Sequence, residues 1–527
     1  MNHRFLKIFV LLAFLAATPF LLSAQQVLTI LHTNDTHSNL FPFGPENSLG
    51  GIARMSTLIK ELKAKDQNVL ALNAGDVFVG TFAFNKYLGY PELKIMEGLY
   101  DAMELGNHEF DLGPDVLTGV LSGVIPGNTP IMMPIICANI DPTKAPAGLV
   151  ALVKPYLIKE IGGLKVGITG VVTVDPYNYS PNVLAILTDP YTAAGTQAAV
   201  LKMAGCDIVI CVSHLGLMAD EVGLSTVPDI DVIVGGHSHD ALPSPIVMPD
   251  GKIIVQAGEF GLYLGELKLN IDGGAITVAD YKLHPVTSKV NSDPHLLQTL
   301  AMLRVGLVQD PRFGPVLSAS VAKADYDMEK RWPAGSAFRD TAVGNLVADA
   351  LKWGVKRAGQ NADIALEALG YVGSKIFQGK IVGDDVMKVV PYGYDPASGL
   401  DFKIVLVELT GFQILYGLEF SVYYVPYVTE LMMQPSGLTF AYDSTQPAGA
   451  RVDYASVMIN GNPINPFATY WVAMNEQVYN VLKTLDNTVP SPMATNLLEF
   501  NVVRDYMKKL NHVGYMSEGR VIDSSVQ

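Results

Sequence analysis

Asp35, His37, Asp76, Asn107, His108, Asp111, His214, His237 and His239 share one sequence context. Each lies at or just beyond the end of a short apolar run that reads as a strand. Asp35 and His37 follow Val27–His32, and Asp76 follows Val69–Asn73. Gly106-Asn107-His108-Glu109-Phe110-Asp111 follows Tyr100–Leu105, Ser213-His214 follows Asp207–Val212, and Gly235-Gly236-His237-Ser238-His239 follows Asp231–Val234. A lone Asp-x-His is ordinary surface polarity, and a lone buried histidine is usually just hydrogen-bonded. Five of the ten histidines at strand ends would need five separate coincidences. Imidazoles mixed with carboxylates suit divalent ions such as zinc or manganese, and one carboxylate can bridge two of them. Two such ions about 3.5–4 Å apart can activate water at neutral pH and take up the charge of phosphate oxygens.

These residues need a scaffold that gathers strand ends. Up to about residue 290 short apolar runs alternate with helical stretches, Ile52–Lys63 and Tyr191–Ala204 among them, which is the α/β pattern. Further strands are expected at Leu164–Val171 and Lys252–Gln256. Ligands in open α/β sheets lie beyond the carboxyl ends of the strands, so the loops above can converge there. After a polar stretch, Asp293 can cap a helix with Pro294 in its first turn and Leu296, Leu300, Leu303 and Leu307 at helical spacing. The second half reads as α+β: a helix through Val343, Val347 and Leu351 stopping near Gly359, then strands at Lys403–Leu409 and Trp471–Met474. The Pro/Gly/Ser-rich stretch 435–449 reads as a surface loop.

Composition narrows the partners. Apolar residues make up 49% and charged residues 17%, so the chain can bury cores. A net charge of −15 gives no electrostatic reason to hold DNA, RNA or an anionic membrane. A phosphate ligand would need local cations. Arg4, Lys7, the apolar run Ile8 to Leu22 and Ser23-Ala24 read as a signal peptide over 1–24, the run being shorter than the ~20 residues a bilayer span needs. No cysteine follows it, and Met516 to Gln527 is too polar for a lipid-anchor tail, so an exported protein, periplasmic or secreted, without a stable membrane anchor is expected. Cys206 and Cys211 flank one strand and lie too far apart to bridge, so these and Cys137 are expected to be free thiols.

The strings Ile30-Leu31-His32-Thr33-Asn34-Asp35-Thr36-His37, Gly106 to Asp111, Ser213-His214-Leu215-Gly216 and Gly235 to His239 resemble those of the 5′-nucleotidase family. That family belongs to the calcineurin-like metallophosphoesterases and includes periplasmic UDP-sugar hydrolases. The resemblance implies a four-layer α/β/β/α metallophosphoesterase sandwich over 25–290, a connector helix over 291–311 and a separate α+β substrate domain over 312–527. It implies one metal held by Asp35, His37, Asp76 and His239, and a second by Asp76, Asn107, His214 and His237, with Asp76 bridging. It further implies that His108, oriented by Asp111, stabilises the transition state or the leaving group, and that Asn107 also faces the substrate.

The second half resembles the family's C-terminal domain more weakly, through Thr341 to Ala350 and through Val390-Pro391-Tyr392-Gly393, where Tyr392 holds the place of a base-stacking aromatic. Other family features are missing. Ala368-Leu369-Gly370-Tyr371-Val372-Gly373 stands where members carry Asn-x-Gly-Gly-Ile-Arg, Ala337 stands where an Arg is expected, and Asn475 to Asn480 lacks the second aromatic and the ribose-binding Asp. Glycine and alanine cannot supply the bidentate phosphate contacts of a guanidinium. The expected function is metal-assisted hydrolysis of a small phosphate monoester, a nucleotide being one candidate. The alternatives are a phosphodiesterase or nucleotide-sugar pyrophosphatase, and a binder of phosphorylated ligands without turnover. No oligomeric state is readable.

Overall fold

The computed structural model describes residues 26–124, 128–332 and 336–526. The leader read over 1–24 lies outside them. The chain first lays down β1 (Gln26–Thr33), β2 (Val69–Asn73), β3 (Ala102–Glu104), β4 (Ile135–Ile136) and β5 (Val153–Lys154), side by side and parallel. It then builds a second sheet from β6 (Tyr156–Ile161), β7 (Leu164–Val172), β8 (Ile208–His214), β9 (Val232–Gly235), β10 (Ile246–Val247) and β11 (Ile253–Val255). It returns to the first sheet with β12 (Tyr263–Asp272), antiparallel to β1, and β13 (Ala275–Pro285) beyond it.

Alternation along these strands explains the layers. Ile208, Ile210 and Val212 of β8 meet Leu28, Ile30, Leu70 and Leu72 of the first sheet, forming a core between the two sheets. Val209 and Cys211, one residue out of phase, face Ala194, Ala198 and Leu201 of the helix Pro190–Met203. On the outer face of the first sheet, Leu31 and Ala71 pack with Met55 and Ile59 of the helix Ile52–Lys65. Helix, sheet, sheet, helix is the four-layer order expected. Cys137, Cys206 and Cys211 are buried free thiols.

The helix Pro294–Gln309 follows, with Asp293 accepting from His295 N at 3.0 Å and from Ser56 Oγ at 2.6 Å. The second half carries the helix Ala342–Arg357 and a five-stranded sheet whose middle strands are Ile364–Ala368, Thr469–Asn475 and Lys403–Thr410. The stretch 435–449 is not simply a loop: Met433–Ser436 and Leu438–Tyr442 are strands separated by Gly437. Pro435 and Gly437 look like breakers in sequence, but Leu438, Phe440 and Tyr442 alternate into a core and define a strand. No helix among the described residues is long and apolar enough to cross a membrane.

Candidate active site

The carboxyl ends of β1, β2, β3, β8 and β9 bring the sequence candidates together in two groups. Asp35, His37 and His239 each offer a ligand atom, all within 4.8 Å of one another, and so do Asp76, His214 and His237. Asp76 joins the groups: its Oδ2 lies 3.0 Å from His214 Nε2 and 3.9 Å from His37 Nε2. Five of these six residues, Asp35 (φ 48°), His37 (44°), Asp76 (53°), His237 (76°) and His239 (61°), hold left-handed backbone. Such conformations cost about 1–3 kcal/mol each for a residue with a side chain and collect at functional sites. The strand-end loops also touch closely: a Cβ on Gly106 would fall 2.1 Å from Asp76 Oδ1.

Three imidazoles are oriented by what holds their far nitrogen. His37 Nδ1 meets Phe78 O at 3.2 Å, His214 Nδ1 meets Ala74 O at 2.5 Å, and His239 Nδ1 meets Glu259 Oε2 at 2.5 Å. Each acceptor requires a proton on Nδ1, which turns the Nε2 lone pair inward. Nε2 of His37 and His239 then face each other at 3.1 Å, and His214 Nε2 and Asn107 Oδ1 are buried with no hydrogen-bond partner. Inward lone pairs beside two buried carboxylates form a donor set that fits divalent cations. In the metal-free state burial would raise the pKa of Asp35 and of Asp76, but a protonated His239 holds the first carboxyl below its ordinary value, and protonated His214 with His108 holds the second well below. An ion taking the Nε2 lone pairs would displace those protons.

Glu109 carries no role in the sequence reading, although it lies within the Gly106 to Asp111 string. It is buried, and its carboxylate accepts four backbone N–H groups: Asp76 at 3.0 Å, Val77 at 2.8 Å, Phe78 at 3.0 Å and Gly106 at 2.6 Å. One side chain thus ties the loop after β2 to the loop after β3. Only the buried position of a Glu between His108 and Phe110 could have pointed to it.

His108 sits at the rim. Its Nδ1 lies 2.8 Å from Asp111 Oδ2, and its backbone N–H donates to Asp76 Oδ1 at 2.9 Å. Burial lowers the His108 pKa, but Asp111 and then Asp76 outweigh it and lift the group to about 9. Its hydrogen bond to Asp111 favours the protonated ring, which can donate through Nε2.

Tyr392 lies flat on that imidazole, with ring centroids 4.9 Å apart and planes 22° apart, and is only 8% exposed. The ring read in sequence as a base platform thus has one face engaged with His108. Two cations of the second half that could stand in for the missing arginines are engaged elsewhere: Lys375 pairs with Asp327 and Glu329, and Arg357 pairs with Asp505. Tyr371 packs edge-on against Phe402. Arg331, which the sequence reading passes over, reaches Ser238 O at 3.3 Å between the two clustered histidines of that loop.

A four-layer sandwich with paired Asp/His clusters at its strand ends is the architecture of a calcineurin-like phosphoesterase, and residues 28–241 match that family's model. Residues 321–480 match the 5′-nucleotidase C-terminal domain, so the two matches together cover more than half of the chain. The chain belongs to the 5′-nucleotidase family and is a metal-dependent phosphoric ester hydrolase. It is 28% identical to a 5′-nucleotidase of Diplobatis ommata, over 97% of this chain and 92% of that one. The crystal structure of a 5′-nucleotidase precursor from Thermus thermophilus superposes with a TM-score of 0.82 at 29% identity, covering 95% of this chain and all of that one. The sulfate thiohydrolase SoxB of Thermus thermophilus shares the fold at a TM-score of 0.76 and 17% identity, covering 95% and 97% of the two chains.

Proposed function

We propose that this protein is an exported dinuclear phosphoesterase that hydrolyses phosphate monoesters, with one ion held by Asp35, His37, Asp76 and His239 and the other by Asp76, Asn107, His214 and His237. The observation that carries this reading is the inward convergence of the Nε2 lone pairs of His37, His214 and His239 on Asp35 and Asp76. The similarity to 5′-nucleotidases over nearly the whole chain supports it. Export rests on the leader-like sequence 1–24. Two divalent cations bound there would supply an activated water and neutralise phosphate oxygens. The protein's own part begins with His108, whose Nε2 lies 4.0 Å from Asp76 Oδ2 while Asp111 keeps Nδ1 protonated. In that state His108 donates to the phosphoryl group or to the departing oxygen as negative charge builds there. Asp111 orients the ring, and Asp76 places the His108 backbone through the N–H bond to its Oδ1.

A strong chelator should abolish hydrolysis and lower the thermal unfolding midpoint, because an ion that binds only the native state stabilises it by mass action. Adding zinc or manganese back should restore both. Hydrolysis that persists after metal removal has been verified by elemental analysis would sink the reading.

Glu109→Gln keeps the shape but loses acceptor capacity, leaving at least one of the four buried N–H groups without a partner. Urea unfolding of the metal-free protein should show a loss of about 1–3 kcal/mol. Unchanged stability would mean that the two loops are held together by other contacts.

A further inference from the structure

Of the three oriented imidazoles, two lean on backbone carbonyls and one, His239, leans on a side chain. That side chain is Glu259, in the loop that follows β11. Its neighbours are threaded onto the Asp35 loop: Gly258 O accepts from Asn34 Nδ2 at 2.6 Å, and Phe260 N donates to Asp35 O at 2.7 Å. The carboxylate oxygen that meets His239, Oε2, also accepts from Lys330 Nζ at 2.9 Å. Lys330 belongs to the second half of the chain, is only 7% exposed, donates to Gly373 O and stands 4.9 Å over the Phe260 ring. Its neighbour Arg331 reaches Ser238 O, so consecutive cations of the second half grip the loop bearing His237 and His239.

We propose that Glu259 is a positioning residue for His239 and is itself clamped by Lys330, so that the histidine cluster is completed across the two halves of the chain. The proposal rests on the dinuclear reading above. An imidazole aims its lone pair only if its ring plane and tautomer are fixed, and Glu259 fixes both through one hydrogen bond. A carboxylate on a flexible stem holds a ring no better than it is held itself. Lys330, fixed by Gly373 O and the Phe260 ring, holds it. A lysine this deeply buried needs an anionic partner, and among the described residues the carboxylate it pairs with is Glu259.

The test uses the full-length protein and Mn²⁺ alone, with affinity measured by chelator competition and metal-free thermal unfolding recorded for every variant. The unaltered protein should bind two ions. Glu259→Gln should weaken one of them by about 10–100-fold, the usual effect of removing a carboxylate behind a metal-bound histidine. Lys330→Met should weaken the same ion, by about threefold or more, and should have a smaller effect when Glu259 is already Gln. The sign is diagnostic. Lys330 carries charge of the same sign as the ion, so charge alone predicts tighter binding once it is removed, whereas loss of the clamp predicts weaker binding. Tighter or unchanged binding in Lys330→Met, or unchanged binding in Glu259→Gln, overturns the proposal and leaves the dinuclear reading standing. If the unaltered protein binds no Mn²⁺, both fall. Should Glu259→Gln fail to fold, Lys330→Arg carries the test beside Lys330→Met: arginine should stay within about threefold of the original affinity, and equal loss in both variants overturns the clamp.

Discussion

His108→Ala is expected to keep both metals and lose about 10²–10⁴ in turnover, the usual contribution of a positioned acid–base group. The geometry separates its role from metal binding. His108 Nδ1 is committed to Asp111, and its Nε2 lies 4.0 Å from Asp76 Oδ2, outside the two groups of converging ligand atoms. Truncating it removes a proton donor and leaves all six clustered residues in place. Asp76→Ala is the contrast. Asp76 Oδ2 stands between His214 and His37 and its Oδ1 holds the His108 backbone, so its loss should release metal and collapse activity together. Metal content by elemental analysis, read beside kcat for a simple aryl phosphate, distinguishes the two. If His108→Ala releases metal, or hydrolyses substrate normally, the assigned role is wrong.

The clustered residues were legible in sequence because each follows an apolar strand and sits beside glycine, serine or asparagine, where a chain leaves a sheet. Parallel strands put all those exits at one edge, so order along the chain became proximity in space. Short elements were less legible. Strands β4 and β5 have two residues each and carry no period. The helices Phe82–Tyr87 and Tyr90–Met96 are too short for a helical repeat to stand out.

What sequence could not convey was who holds the ligands. Glu109 takes its four bonds from residues near it only because β2 and β3 are neighbours. Glu259 and Lys330, separated by 71 positions, meet because the two halves pack together. Tyr392 shows the same limit. Its place in the Val390 to Gly393 string pointed to a base and said nothing of His108, on which the packing of the halves lays one face of the ring. Motif identity carries over the chemistry of a side chain; its neighbour is decided by tertiary contact.

AMP is expected to have less than about a hundred-fold advantage in kcat/KM over a small aryl phosphate, the scale on which real specificity would show. Hydrolysis as proposed draws on the Asp/His clusters and His108, all in the first half. Nucleoside selection needs aromatic faces, a ribose-binding carboxylate and guanidinium forks from the second. Gly373 and Ala337 occupy the two arginine positions, and Asn475 to Asn480 offers neither the aromatic nor the carboxylate in the expected order. Each charge-assisted hydrogen bond contributes about 1.5–3 kcal/mol. Losing two such contacts therefore weakens recognition by roughly 10²–10⁴. Tyr392, the one matched aromatic, has one face against His108 and stands nearly perpendicular to the His37 ring, which leaves it at most one face for a base. The cleft beside it is lined by Phe43, Phe260, Ser374 and Lys388, a small apolar wall with one nearby ammonium. Arg331 is the guanidinium best placed to compensate, since its contacts with Ser238 O at 3.3 Å and Glu430 at 3.8 Å are long. Comparing kcat/KM for AMP, a UDP-sugar, a cyclic nucleotide and an aryl phosphate decides the matter. An AMP advantage above a hundred-fold that disappears in Arg331→Ala would show that this arginine rebuilds the missing contact. The same advantage surviving that change but lost in Tyr392→Ala would place the base on the aromatic instead.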